Sequence, residues 1–569
     1  MREMKMKNAI SKATKFFGPA VLAMLMTATA FAAVPGITGP TFNLTAQDAH
    51  INQPDGAAVY SWGYGCNGAP SGFAKSLAGM SLPNANCSTM QVPGPTLIVH
   101  EGDMVTVNLV NNLPTAAGNT SILFPGFQVA TSGGVTGLLT QEAAPGNTVT
   151  YKFTASSPGT RAYYSGTQGD LQVEMGLYGA IIVLPANPPA NCASGVHAAN
   201  VQVEKNWGES DFRLSTAAYD HPGTCYDREY LFQWAEMDSR IHRQAEAQVL
   251  ATQGCTAGAA GCSLNVQTEP YHPAYFLING RSMPDLMDPN YAAEYPHQPY
   301  NGNPHLHLGE QVLIRTIGQG RWQHPFHEHG NHVRILARDG NLILSNSTIT
   351  YPGTTTPAPA LAGILMFNTD TTPGSAFDGI FYFSGRGLNW DPFGHHPPPN
   401  VPGTPPDANA SLPCTPDANG YNTGFPATDT NFSTTPNPTV LAAINYYEWC
   451  QDHNKPLQVN PFGDVAAGGP ATLPDPNIFA NGPWYGGSPY LGPDASLRAT
   501  APACDTTRNA GCTNLLPANT QANPASERGW AFMWHSHNER EITTNNVFPG
   551  GMLMMMLVDS REFPIDESL

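Results

Sequence analysis

Glu101-Gly102-Asp103-Met104-Val105-Thr106-Val107-Asn108-Leu109-Val110 places an acidic turn ahead of a strict alternation, with Val105, Val107 and Leu109 on one face. Side chains two apart along a strand share a face, so this is the pattern of a strand with one side in a core. Outward from it come Ser121-Ile122-Leu123-Phe124-Pro125-Gly126, and then Pro145-Gly146 leading Val149, Tyr151 and Phe153 into a second alternating run. The unit closes over Gly159-Thr160-Arg161-Ala162-Tyr163-Tyr164-Ser165-Gly166 and Gly176-Leu177-Tyr178-Gly179-Ala180-Ile181-Ile182-Val183. The second half replays the order. Gly309-Glu310 starts a strand with Val312 and Ile314, His324 to Gly330 follows, and Pro373-Gly374 leads into Phe377 to Phe383. Trp534-His535-Ser536-His537 and Gly550-Gly551-Met552-Leu553-Met554 close it. Alternation bounded by Pro-Gly turns predicts half-buried antiparallel strands, and the replay predicts two sandwich domains related by duplication.

The expected organisation is a leader over 1–32, a first sandwich over 33–190, a connecting region over 191–300 that is joined to or begins the second domain, and a second sandwich over 301–569. Within the second, about 385–528 is a long excursion without sustained periodicity, as loops with a dedicated surface role often are. Composition agrees with an all-β chain: of 569 residues 56 are Gly and 53 Pro, while only 12% are charged. Arg2, Lys5, Lys7, Lys12 and Lys15, the apolar stretch from Phe16 to Met26, and Ala30-Phe31-Ala32 read as a cleaved signal peptide. Export to the periplasm or the extracellular space is the expectation, with no membrane span.

The net charge of −18 falls to about −22 without that leader, which argues against nucleic acid and anionic membrane surfaces as partners. Ten cysteines in an exported chain point to disulfides. Proximity pairs Cys66 with Cys87, Cys192 with Cys225, Cys255 with Cys262, Cys414 with Cys450 and Cys504 with Cys512.

The densest chemistry is His324-Pro325-Phe326-His327-Glu328-His329-Gly330, answered some two hundred residues later by Trp534-His535-Ser536-His537. In strands His327 and His329 aim one way, as do His535 and His537. Two such pairs on neighbouring strands make a polyhistidine metal site, and imidazole suits copper or zinc. Glu328 is a candidate hydrogen-bond partner for the ligating rings. His305 and His307 read as a solvated strand face, His395 and His396 as loop residues, and the Met552, Met554, Met555, Met556 run as core filling.

With Pro93-Gly94-Pro95-Thr96-Leu97, Glu101-Gly102-Asp103, Gly176-Leu177-Tyr178-Gly179, Asn279-Gly280 and the two histidine runs, the chain resembles the multicopper oxidase family of laccases and, more distantly, copper nitrite reductases. The resemblance implies tandem cupredoxin-like Greek-key β-sandwiches and a copper-dependent oxidoreductase. It also implies ligand roles: His324 at a blue-copper position, His327 at a type 2 position, and His329, His535 and His537 at the coupled binuclear pair. The departures are large. Leu123-Phe124-Pro125-Gly126 stands where a His-Trp-His-Gly run belongs, and Tyr164-Ser165-Gly166 where a His-x-His run belongs. Ser536 replaces the thiolate cysteine, Glu541 sits near where the second blue-copper histidine belongs, and Asn538 to Pro549 lengthens the spacing to Met552. A blue-copper site needs a thiolate, so four-electron oxygen reduction by the usual family route is not expected. The expectation is a modified oxidoreductase with a mononuclear copper or zinc site of His327, His329, His535 and His537, acting on a small reductant or metal ion. A homo-oligomer is compatible with the resemblance. The alternative is a secreted structural or interaction module on a decayed scaffold.

Overall fold

The computed structural model describes residues 34–74, 87–194, 197, 211, 213–307, 309–383, 416, 450, 529–559 and 565. The leader, most of the 385–528 excursion, His395 and His396 lie outside them. The all-β expectation is met.

Among the described residues four larger sheets stack in order, besides two two-stranded ones. A five-stranded sheet runs Ala58–Cys66, Thr41–Asn52, Met104–Asn111, Thr148–Thr154 and Ala130–Gly133, and a four-stranded sheet runs Ile37–Thr38, Leu97–His100, Tyr178–Leu184 and Gly159–Tyr164. They close on one core that takes Val105, Val107, Leu109, Val149, Tyr151 and Phe153 from the first and Leu97, Val99, Ile181 and Val183 from the second. The opening alternation therefore reads out directly: Met104–Asn111 alternates exposed or half-exposed with fully buried residues.

The other pair consists of a sheet ordered Tyr275–Ile278, Arg228–Met237, Gln311–Gly318, Ala376–Tyr382, Val333–Arg338 and Asn341–Leu342, with Leu365–Met366 also paired to Val333–Arg338, and a five-stranded sheet. The five-stranded sheet is ordered His305–His307, Leu553–Asp559, Gly529–Ser536, His324–Glu328 and Asn368–Thr371. Met552, Met554 and Met556 fill the core between them, as expected. From the connecting region, Tyr275–Ile278 is the edge strand of the larger sheet and Arg228–Met237 the strand next to it. The intervening helix Ser239–Ala251, capped by the Asp238 carboxylate on the Arg240 N–H, turns back to bury Ile241 and Ala245 in the core of the first pair.

The four-stranded and the larger sheet face each other. Ala180, Ile182 and Leu184 meet Leu231, Ile317 and Ala376, while Tyr178, Val59 and Val92 meet Ala235, Met237 and Leu277. Tyr178–Leu184 and Arg228–Met237 are consequently buried on both faces, which explains why neither shows the polar alternation of an outer strand. Three disulfides match the proximity pairing: Cys66–Cys87, Cys192–Cys225 and Cys255–Cys262. Cys450 is also disulfide-bonded, whereas Cys414, Cys504 and Cys512 lie outside the described residues. Among the described residues no helix is long and apolar enough to cross a membrane.

Candidate metal centre

The strand His324–Glu328 pairs antiparallel with Gly529–Ser536 so that His327 stands opposite His535, Phe326 opposite Ser536 and Glu328 opposite Trp534. Phe326 and Trp534 lie in the core, so the alternation turns His327 and His535 to the outer face of the sheet. One register thus sorts the motif residues onto two faces.

On the outer face, one ring nitrogen each of His327, His329 and His535 lie within 4.8 Å of one another. The three residues are 5%, 7% and 5% exposed. His537 joins them at the rim: its ring is 4.7 Å from that of His327 and 5.6 Å from that of His535, yet its side chain is 50% exposed. The cluster is therefore closed on three sides and open at His537.

Backbone carbonyls set the tautomers. His327 Nδ1–H donates to the Phe367 carbonyl at 2.8 Å, and His535 Nδ1–H to the Ser536 carbonyl at 2.7 Å. Both rings then present an Nε2 lone pair inward, the orientation a metal ligand needs. His329 Nε2 lies 3.3 Å from His535 Nε2, so the hydrogen between them belongs to His329. Burial, with the neighbouring His535 and His537 rings, pushes His327 down to about 4, and burial lowers His535 as well, so both are neutral near pH 7. Neutral, convergent imidazoles fit a copper ion by donor type and number.

Glu328 does not orient the rings. It is on the inner face, fully buried, where Thr369 Oγ1 donates to Oε1 at 3.0 Å and Oε2 has no hydrogen-bond partner. Burial pushes its carboxyl well above the usual range and so favours the protonated form. The carbonyls of Phe367 and Ser536 take the orienting role instead, and no side-chain pattern could have announced them.

His324 is not brought into the cluster. It also faces inward, wholly buried, with Nδ1 on Glu541 Oε2 at 2.8 Å and Nε2 on Glu236 Oε2 at 2.9 Å, so both nitrogens are committed to carboxylates. Burial would lower its pKa, but the hydrogen bonds and charges of Glu236 and Glu541 outweigh that and push it up to about 9. Sequence reading missed Glu236; its signal was a lone carboxylate in the apolar run from Tyr230 to Met237. The added spacing before Met552 is a hairpin. Gly550 N–H donates to the Ile542 carbonyl and Met552 N–H to the Glu541 carbonyl, at 2.9 and 2.8 Å. Gly551 closes it at φ 60°, where a Cβ would meet the Glu541 carbonyl oxygen at 2.2 Å.

In the first sandwich Leu123 pairs with Tyr164 through the backbone, and Phe124 packs on Tyr151, Phe153 and Tyr163. Tyr163 is buried with its hydroxyl on the Pro95 carbonyl at 2.7 Å. Tyr164 packs where the two sandwiches meet. His307, expected on a solvated face, is buried, its N–H donating to Glu310 Oε2 at 2.7 Å, while His305 is half-buried.

Residues 84–188 match a multicopper oxidase family model. A multicopper oxidase of Talaromyces pinophilus is 39% identical over 98 residues, which is 17% of this chain and 15% of that protein. A copper-containing nitrite reductase of Pseudomonas chlororaphis is 38% identical over 96 residues, 16% of this chain and 25% of that protein. The match thus spans a quarter or less of these relatives. A solved multicopper oxidase, mgLAC, superimposes with a TM-score of 0.40 at 15% identity, over 92% of this chain and 87% of that one. The family's metal is copper. By its sandwiches, the order of its motifs and the match over residues 84–188, the chain is similar to the cupredoxin-type multicopper oxidases.

Proposed function

We propose that this protein is exported and binds one copper ion at His327, His329 and His535, with His537 at the open edge, as a modified oxidoreductase. The observation that carries the reading is the convergence of three buried imidazole nitrogens within 4.8 Å, two of them fixed in the ligating tautomer by backbone carbonyls. A copper ion held there would supply a one-electron couple with an open coordination position.

The chain's own residues narrow the chemistry. Ser536 and Glu541 leave no thiolate through which electrons from a distant donor could pass. A small reductant therefore has to reach the histidines themselves, and the exposed His537 edge is the way in. Phe367, 44% exposed, stands beside His327 with ring centroids 5.9 Å apart and walls one side of that approach.

The test is metal analysis of the purified, copper-reconstituted chain. One copper per chain without an intense blue band is expected. Full copper retention after replacing all four histidines by alanine would reject the proposal.

A further inference from the structure

The inner face of the same sheet carries a cluster that the imidazole site does not use. Glu541 Oε2 accepts from His324 Nδ1 at 2.8 Å and from Ser536 Oγ at 2.5 Å, so one carboxylate oxygen fills the point at which both side chains aim. Its Oε1 accepts from Asn538 Nδ2 at 2.9 Å. On the far side of the imidazole, Glu236 Oε2 accepts from His324 Nε2. Glu236 Oε1 accepts the Arg321 and Trp322 N–H groups at 2.7 and 2.9 Å and the Tyr271 hydroxyl at 3.1 Å. Gly320 permits that loop its approach, since a Cβ there would sit 2.1 Å from Glu236 Oε2. None of His324, Ser536, Glu541 and Glu236 is more than 2% exposed. A cation entering this space would have to displace a doubly hydrogen-bonded oxygen and settle against an imidazolium, so its place is already taken.

The cluster also reaches the outer face. Ser536 lies between His535 and His537; its carbonyl holds His535 Nδ1–H, and its Oγ is tied to Glu541 and accepts the Asn538 N–H at 3.2 Å. We propose that Glu236, His324 and Glu541 form a hydrogen-bonded plug that fills the inner face and keeps metal off it and, through Ser536, positions His535 and His537 on the outer one. Glu541 and Ser536 are positioning residues that act through the strand. The copper arm of the test rests on the mononuclear reading above; the plug itself does not.

The experiment uses the full chain. In metal-free protein at pH 7, histidine-selective nitrogen NMR should show His324 protonated on both ring nitrogens and a slowly exchanging Nδ1 proton on His535, which exchanges faster in Ser536→Ala. With copper(II), wild type should hold one ion. Ser536→Ala should weaken it by about 10–100-fold and alter the nitrogen hyperfine pattern. Glu236→Gln, which loosens the far end of the plug, should lower Tm and leave that pattern unchanged. Two coppers per chain, or Ser536→Ala with wild-type affinity and spectrum, would overturn the proposal. A chain that binds no copper rejects the mononuclear reading alone. The plug then stands or falls on the metal-free spectra, where a singly protonated His324 or an unchanged His535 proton would sink it.

Discussion

The two sandwiches finish corresponding strands with opposite chemistry. In the first, Phe124 sits among Tyr151, Phe153 and Tyr163 at ring separations of 5.9, 4.8 and 5.9 Å, so hydrocarbon occupies the region where the family pattern calls for histidines. In the second, His327, His329 and His535 bring nitrogen to a common point on the outer face of a sheet whose inner face is also apolar core. The first arrangement contributes packing and offers no lone pair; the second offers lone pairs and contributes little packing. Stability and chemistry have been divided between the halves.

The comparison breaks most completely if replacing His327, His329, His535 and His537 together by alanine fails to take copper from one ion per chain to none, measured by elemental analysis. Next in size, Phe124→Ala should cost about 3–5 kcal/mol in denaturant unfolding and leave copper content unchanged. Loss of copper there would mean that the aromatic cluster serves the metal after all.

His324 sharpens the contrast within the second half. Its folded pKa of about 9 lies above the ordinary histidine value, so folding takes up a proton. The stabilisation is complete below about pH 6.5 and is lost as pH rises through about 9, on the order of a few kcal/mol. Melting scans should show that decline between those limits, and His324→Asn should flatten it. The smallest effect belongs to Glu328→Gln: because burial already favours the neutral carboxyl, stability should change by about 1 kcal/mol or less, with copper binding intact.

Much of this was legible in the residues. Val105, Val107 and Leu109 fixed a face by alternation alone, and the same rule placed His327 with His535 once their strands were paired. The rule also sends His324, Phe326 and Glu328 to the opposite face, which is why His324 left the expected ligand group and Glu328 does not partner the ligating rings. What no pattern carried was the register between strands two hundred residues apart. The carbonyls of Phe367 and Ser536 were equally hidden, because every residue has a carbonyl. Arg228–Met237 was only partly readable, since a strand covered on both sides loses its period.

That doubly covered wall has a consequence for anyone dividing the gene. Ala180, Ile182 and Leu184 on one side and Leu231, Ile317 and Ala376 on the other exist to be hidden by each other. Fragments cut between residues 190 and 227 would each carry a bare greasy surface into water and would clump rather than fold alone. The halves, however alike in plan, are obligate companions.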